Sequence, residues 1–120
     1  IQKWVEGKIV SDSLPGCRVR AIKIEGTLAG WCGIQKDDTG FEIAIVISPQ
    51  FWGAGVEVFS TMMGWARSFG HSEVVFHLLD SRRKFKSLEK KSVKVARNVL
   101  MGRAFTSYYV SVSLWFNKEV

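Results

Sequence analysis

The chain has 120 residues, which is enough for one domain with a hydrophobic core and leaves no room for a second. Its 47% hydrophobic and 23% charged residues exclude an intrinsically disordered chain. No apolar run approaches the roughly 20 residues of a membrane span, and no signal peptide is visible, so we expect a cytoplasmic protein without a membrane partner. The net charge of +6 favours an anionic partner.

The N-terminal half predicts three strands. Residues 1–10 carry a short helical pattern, and residues 11–16 have turn chemistry. Residues 17–25 alternate between apolar and basic side chains and predict a half-buried strand, which forms a hairpin with residues 28–35. Gly30 and Gly33 weaken this second strand and suggest that another group approaches it closely. Residues 41–47 are almost wholly apolar and β-branched, as in a strand buried on both faces.

The C-terminal half begins with the clearest helix, over residues 56–69, with Gly70 at the position of a C-terminal cap. A buried strand over residues 73–79 follows, so strands 41–47 and 73–79 should be parallel within a βαβ unit. Residues 82–91 predict a basic helix, and residues 92–99 and 104–114 a closing hairpin. The predicted fold class is α/β (α+β): one domain over residues 1–120, with helices flanking a mixed β-sheet.

Two cysteines, Cys17 and Cys32, are too few for a disulfide framework and lack metal-ligand spacing. We expect both to be reduced thiols in or near the core, and we expect no metal site.

The connection between strand 41–47 and helix 56–69 carries the clearest functional pattern. Pro49 ends the apolar run, and Gly53 and Gly55 precede the helix. A strand that passes into a helix through a Gly-x-Gly turn directs several backbone N–H groups at one point, where the helix dipole adds positive charge. This construction predicts a pyrophosphate site. The P-loop string and the third glycine of the dinucleotide fingerprint are both absent from the sequence.

Positive charge is concentrated in residues 81–103, where nine basic residues face only Glu89. Such a segment suits nucleic acid, a phosphorylated cofactor or an acidic protein face, and it is equally compatible with a solvated helix surface.

The mid-chain βαβ unit and the loop Pro49-x-x-Trp52-Gly53-x-Gly55 together resemble the GNAT-type N-acetyltransferase superfamily, most closely the branch that acetylates ribosomal-protein N-termini. The resemblance covers about residues 18–112, and residues 41–79 are its most specific part. It implies acetyl-CoA as co-substrate and transfer of the acetyl group to a primary amine by direct attack.

The resemblance also implies the cofactor contacts. The backbone of residues 45–47 would pair with the pantetheine arm, and the amides from Gly53 to Glu57 would hold the pyrophosphate. A side chain at Gly55 would block this approach. Glu57 stands where the family usually has glycine or alanine. The implied cofactor-binding residues are Ile45, Val46, Ile47, Trp52, Gly53, Ala54, Gly55, Val56, Glu57, Ser81, Arg82 and Lys84.

The catalytic groups are less clearly marked. Glu42 is the candidate general base, because it is the only acidic residue in the apolar strand 41–47; the alternative is a solvent-facing carboxylate at the strand end. The family's tyrosine acid would fall near Leu88, which cannot donate a proton, so the adjacent Ser87 or a water is the candidate acid. The position of His77 in an apolar strand favours a hydrogen-bonded core histidine over a general base.

Acetyltransferases of this type usually have another strand and helix before the strand predicted at residues 17–25, and only sixteen residues precede it here. The acceptor pocket would then be open or completed by a second subunit in a homodimer. This departure and Leu88 support a competing hypothesis. The chain would be a GNAT-like binding module without chemistry, which uses its basic segment on nucleic acid or an acidic protein; nucleic acid is the less favoured partner.

Overall fold

The computed structural model describes residues 12–79 and 86–117. It contains a six-stranded mixed sheet in the order β1-β2-β3-β4-β6-β5. The strands are β1 (Arg18–Ile24), β2 (Thr27–Asp37), β3 (Gly40–Ile47), β4 (Glu73–Leu79), β5 (Ser92–Leu100) and β6 (Arg103–Ser111). The helices are a 3₁₀ helix (Pro49–Ala54), α1 (Gly55–Phe69), α2 (Lys86–Lys90) and α3 (Val112–Phe116).

The predicted fold class is confirmed. Strands β3 and β4 are parallel and are connected by α1, which forms the expected βαβ unit. Strands β5 and β6 form the expected C-terminal hairpin. The helical pattern of residues 1–10 lies outside the described residues, and the basic helix is described only over Lys86–Lys90. Within residues 12–79 and 86–117, no helix combines the length and apolarity that crossing a bilayer requires.

Helix α1 covers one face of the sheet. Its apolar stripe buries Phe59, Met62, Met63 and Ala66 against the strands. Gly70 ends the helix in the left-handed conformation, with φ of 83°, and its N–H donates to the carbonyl of Arg67. Cys17 and Cys32 are free and buried, as predicted. Burial raises the pKa of the Cys32 thiol.

The predicted strand over residues 104–114 is wrong in its last part. Strand β6 ends at Ser111, whose hydroxyl accepts a hydrogen bond from the Leu114 N–H and caps helix α3. The ring of Trp115 packs 5.1 Å from that of Phe59, and the Arg67 guanidinium lies 4.0 Å from the ring of Phe116. Trp115 and Phe116 therefore pack against α1 of their own chain.

Strands β3 and β4 diverge after a short contact. Only two pairs join them, Glu42 with Val75 and Ile43 with Phe76. In contrast, β4 pairs with β6 along all seven of its residues, and β3 pairs with β2 along its full length. The sheet therefore opens between β3 and β4 while its two halves stay intact.

A distortion of β3 accompanies this divergence. An added Cβ at Gly30 would lie 1.8 Å from the carbonyl oxygen of Val46. Because a Cβ projects out of the sheet, this carbonyl is tilted away from the usual ladder direction. The close approach that the glycines of β2 predicted is therefore the backbone of β3, and at Gly33 it is the carbonyl oxygen of Arg18 at 2.8 Å.

Candidate active site

A cavity of about 570 Å³ occupies the opening between β3 and β4. Residues Ile43 to Ile47 of β3 form one wall, and Phe76 to Leu79 of β4 form the other. Phe59, Leu88 and Trp115 contribute apolar surface. The predicted site residues that line the cavity are Glu42, Ile45, Val46, Ile47, Trp52, Gly55, Val56 and Ser87.

The remaining predicted site residues are placed differently. Gly53, Ala54 and Glu57 belong to the same helical segment but do not line the cavity. Ser81, Arg82 and Lys84 lie outside the described residues.

The β3 wall of the cavity is a strand edge. After Ile43, no further pair joins β3 to β4 in the described part of the chain. The N–H and C=O groups that point into an opening of this kind can bond to an extended ligand laid along the edge. The cavity thus offers the backbone surface that an added strand or a chain of amides would use.

The Gly-x-Gly connection, predicted as a turn, is helical in the structure. Pro49 starts a 3₁₀ helix that continues directly into α1. The Gly55 N–H donates to the Trp52 carbonyl and is therefore occupied. Proline at the first position pre-sets a helical φ, and the Trp52 indole ties the segment back to β3 by donating to the Ile47 carbonyl at 2.9 Å. The anion-binding turn is thus not preformed at Gly55.

Neither glycine of this connection is required by the surrounding protein. An added Cβ at Gly53 or Gly55 would meet nothing within 4 Å, and Gly55 has a helical φ of −58° that any residue adopts. Packing and backbone conformation therefore leave both glycines unexplained.

A polar cluster lies where β3 and β4 are still paired. The Nε2 atom of His77 lies 3.3 Å from Oδ2 of Asp37 and 3.8 Å from Oε2 of Glu42. Its Nδ1 atom lies 2.7 Å from Oγ of Ser107, which also accepts a hydrogen bond from the Asn98 amide at 2.9 Å. Five adjacent strands thus contribute one polar side chain each.

Strand register explains why these side chains meet. Glu42 is paired with Gln35 on β2, and Asp37 lies two residues further along that strand. Glu42 is also paired with Val75 on β4, two residues before His77. Because side chains two residues apart in a strand lie on the same face, Asp37, Glu42 and His77 share one face of the sheet. His77 is paired directly with Ser107. Phe76 points the opposite way and contacts Phe59 of α1, at 5.0 Å between rings. The cluster therefore lies on the sheet face opposite α1.

The Asp37 carboxylate is held in its charged form. Partial burial raises the pKa of Asp37, but hydrogen bonds from the Thr39 hydroxyl and N–H and from His77 outweigh it, and this pKa lies below its ordinary value. The side chains of Asp37 and Glu42 remain 31% and 27% exposed, so both carboxylates are accessible from solvent.

Sequence reasoning missed part of this cluster. Asp37 lies between the predicted strands 28–35 and 41–47 and is not among the predicted site residues. His77, predicted as a core histidine, is hydrogen-bonded as expected, but it also faces two carboxylates and lines the cavity. The spacing of Val75 and His77 places both side chains on the same face of β4. Only the pairing of β2, β3 and β4 shows that Asp37, Glu42 and His77 converge on that face.

The candidate acid remains Ser87, which lies on α2, is exposed and lines the cavity. Leu88 is 4% exposed and packs in the core, so the position of the implied tyrosine is filled by a structural residue. Tyr108 is fully buried.

Two cations of the basic segment have structural contacts. Lys91 donates to the carbonyls of Leu114 and Asn117 at 2.9 and 3.0 Å. Lys94 lies 5.1 Å from the ring of Tyr109. Neither side chain therefore provides direct support for the alternative of an anion-binding module.

No protein-family profile and no curated protein matches the sequence. Solved structures do match the fold. A variant of spermidine N-acetyltransferase from Vibrio cholerae is 12% identical, with 99% of this chain and 79% of that chain covered and a TM-score of 0.69. A GNAT-family acetyltransferase from Streptococcus pneumoniae is 13% identical, with 92% and 74% covered and a TM-score of 0.62.

A third structure comes from Salmonella typhimurium. It is yncA, a putative acetyltransferase with its cofactor acetyl-CoA; it is 19% identical, with 92% of this chain and 70% of that chain covered and a TM-score of 0.64. Since these superpositions cover 92% or more of the chain with TM-scores of 0.62 to 0.69, the chain has the fold of GNAT acetyltransferases.

Proposed function

We propose that the protein is an acetyl-CoA-dependent N-acetyltransferase that acts on a primary amine. The observation that carries this proposal is the opening between β3 and β4, which joins a free strand edge, a glycine-containing helix start and a carboxylate–imidazole cluster in one cavity. A solved structure of the same fold contains acetyl-CoA.

The strand edge sets the direction of the bound cofactor. The backbone of Ile45 would bond to the pantetheine arm, whereas the Val46 carbonyl faces Gly30 of β2. The residues from Gly53 to Glu57 would receive the pyrophosphate. From Glu42 to Ile47 the strand rises by roughly 17 Å, so the acetyl group would lie near the end where β3 and β4 are paired. Since the Gly55 N–H and the Ile47 carbonyl are already bonded, the 3₁₀ segment must open to admit the phosphates.

The two glycines suit this opening. Glycine lowers the steric barrier to leaving a helical conformation and permits close approach of backbone to phosphate. Both glycines have open space around the position of a Cβ, which a ligand can occupy. Cofactor binding thus accounts for Gly53 and Gly55, which packing within the protein does not explain.

The chemistry requires a base, an oxyanion donor and an acid. Glu42 accepts a proton from the acceptor ammonium, whose ordinary pKa is near 10, to produce the nucleophile. A backbone N–H of β3 stabilises the negative charge that develops on the acetyl oxygen. The Ser87 hydroxyl or a water donates a proton to the leaving thiolate.

The end of the cavity that would receive the acceptor amine carries negative charge. Asp37 and Glu42 lie beside the proposed reaction centre and attract a cationic amine. The acceptor would be a peptide N-terminus, a lysine or a small-molecule amine. The resemblance of the loop to the ribosomal N-terminal branch puts peptide N-termini first in a screen.

Calorimetric titration with acetyl-CoA tests the cofactor site. We expect saturable binding by the wild-type chain and loss of binding in Gly55→Glu, because the new carboxylate blocks and repels the pyrophosphate. Gly64→Ala, at another glycine of α1 with open space, is the matched control and should bind normally. A folded wild-type chain that binds no acetyl-CoA would contradict the proposal. Thiol release with a panel of amines then identifies the acceptor.

A further inference from the structure

Three potential metal-ligating atoms converge from three adjacent strands. Asp37 closes β2, Glu42 lies near the start of β3, and His77 lies in β4. One carboxylate oxygen of each acid and a ring nitrogen of His77 all lie within 4.8 Å of one another. Because the three side chains stand on one sheet, their separation is fixed more firmly than it would be on loops.

We propose that Asp37, Glu42 and His77 form a binding site for a divalent transition-metal ion of the Zn²⁺ type. An imidazole nitrogen with two carboxylates is a donor set that Zn²⁺ and its first-row neighbours accept. Calcium and magnesium ions prefer ligand sets made entirely of oxygen, which this site does not offer.

The spacing of the atoms is compatible with tetrahedral coordination. Tetrahedral ligands at Zn–N and Zn–O distances of about 2.0–2.2 Å lie about 3.3–3.5 Å apart. Octahedral ligands at the distances of Mg²⁺ lie only about 3 Å apart. The 3.3 Å between Nε2 of His77 and Oδ2 of Asp37 fits the tetrahedral value. The 3.8 Å to Glu42 requires an approach of roughly half an ångström, which its partly exposed side chain can make.

A group outside the three ligands orients the imidazole. Ser107 contacts the far nitrogen, Nδ1, at 2.7 Å, and is itself bonded to Asn98. This arrangement turns Nε2 toward the carboxylates before any ligand is present. Metal-bound histidines commonly have such a contact on the second ring nitrogen.

The site shares Glu42 with the proposed reaction. If the proposed function is correct, a bound ion occupies the base and excludes the acceptor ammonium, so the metal acts as an inhibitor of acetyl transfer. The binding of the ion does not itself depend on that function. The metal site can therefore be absent while the acetyltransferase proposal holds, and the reverse is also true.

The test is calorimetric titration of the metal-free full chain with Zn²⁺, without acetyl-CoA and in a buffer that does not bind metals. We expect one ion per chain and at least tenfold weaker binding in Asp37→Asn, Glu42→Gln and His77→Gln. The controls are His71→Gln and Glu73→Gln: His71 bonds to the Gly16 carbonyl away from the cluster, and Glu73 is an exposed acid of β4. Both controls should bind like the wild type.

Cobalt substitution tests the ligand set. Nitrogen and oxygen ligands in a four-coordinate site give visible absorption without a thiolate-to-cobalt band, whereas binding to Cys17 or Cys32 gives that band. No saturable Zn²⁺ binding, equal binding by the conservative variants Asp37→Asn and Glu42→Gln, or a thiolate band would each overturn the metal site. Acetyl-CoA binding, measured on the same preparation, reports on the proposed function independently.

Discussion

The indole nitrogen of Trp52 donates to the carbonyl oxygen of Ile47 at 2.9 Å, so the side chain of the loop is tied to the end of the strand that precedes it. This bond holds the 3₁₀ helix against β3, at one end of the cavity. It also occupies a carbonyl of the strand edge. In the free protein, the Ile47 carbonyl is therefore already bonded at the end of the cavity where the proposed cofactor would bind.

Trp52→Phe should loosen this segment, because phenylalanine keeps an aromatic ring but cannot donate. A hydrogen bond contributes about 0.5–1.5 kcal/mol net, which corresponds to roughly 2- to 10-fold faster amide exchange if local opening controls it. Hydrogen exchange of residues 49–57 in the free protein measures the effect. Trp65→Phe, in α1, is the control and should leave exchange in this segment unchanged; equal exchange in wild type and Trp52→Phe would show that the bond does not restrain the segment.

Gly55→Ala should separate stability from cofactor binding. Gly55 has a helical conformation and room for a Cβ, so alanine should raise the free energy of unfolding by about 0.5–1 kcal/mol. Acetyl-CoA affinity should fall, because the helical conformation is harder to leave and the methyl group approaches the phosphates. Urea denaturation and calorimetry measure the two quantities.

Gly64→Ala provides the comparison for this prediction. It lies inside α1 with the same open space, so it should give a similar gain in stability without a change in affinity. If both alanine variants bind acetyl-CoA equally well, the glycine at residue 55 has no role in the cofactor site.

Gly30→Ala should destabilise the fold, in contrast to the substitution at Gly55. Its Cβ would lie 1.8 Å from the Val46 carbonyl oxygen, a backbone atom that cannot move without shifting β3. We expect a loss of about 1–3 kcal/mol in the free energy of unfolding, as for other overpacked interiors. The denaturation midpoint measures it, with Gly53→Ala as a control at a position where an added Cβ meets nothing. An unchanged midpoint would show that β3 yields freely at Val46.

The contrast between these glycines shows what the sequence can predict. Gly30 interrupts a strand pattern and predicted a close approach, and the structure shows that the approaching group is Val46. Gly53 and Gly55 predicted a turn, yet the structure has a 3₁₀ helix at this place, because glycine permits many conformations and specifies none. Periodicity therefore located the strands and α1, whereas the conformation of the connection depended on Pro49 and on the long-range bond of Trp52.

The candidate site also combines residues that the sequence identifies with residues that only the structure reveals. Glu42 was identifiable because a single acid in an apolar strand departs from the local pattern. Asp37 was not, since aspartate is common in turns, and its role follows from pairing in register with a neighbouring strand. Ser111 similarly reads as part of an apolar strand, and only its bond to the Leu114 N–H shows that a helix starts there.

The Asp12 carboxylate makes the stability of the fold depend on pH in the acid range, because it accepts hydrogen bonds from the Val19 N–H at 2.8 Å and from Arg20 at 2.7 Å. The hydrogen bond from Val19 lowers the pKa of Asp12 below its ordinary value; desolvation opposes this shift, and the hydrogen bond and charge of Arg20 add to it. Because the folded-state pKa is below the unfolded one, the stabilisation is present above the unfolded pKa and is lost as pH falls through the folded pKa. Wild type should therefore exceed Asp12→Asn in stability at neutral pH.

This advantage should shrink as pH falls below about 4, since protonation removes the charge that asparagine lacks at every pH. Urea denaturation of both proteins at neutral and acidic pH measures the difference, in which the titrations common to both chains cancel. A difference that stays constant across this range would assign the effect of Asp12 to hydrogen-bond geometry alone. A difference that grows on acidification would mean that the carboxylate is destabilised by folding, contrary to its contacts with Val19 and Arg20.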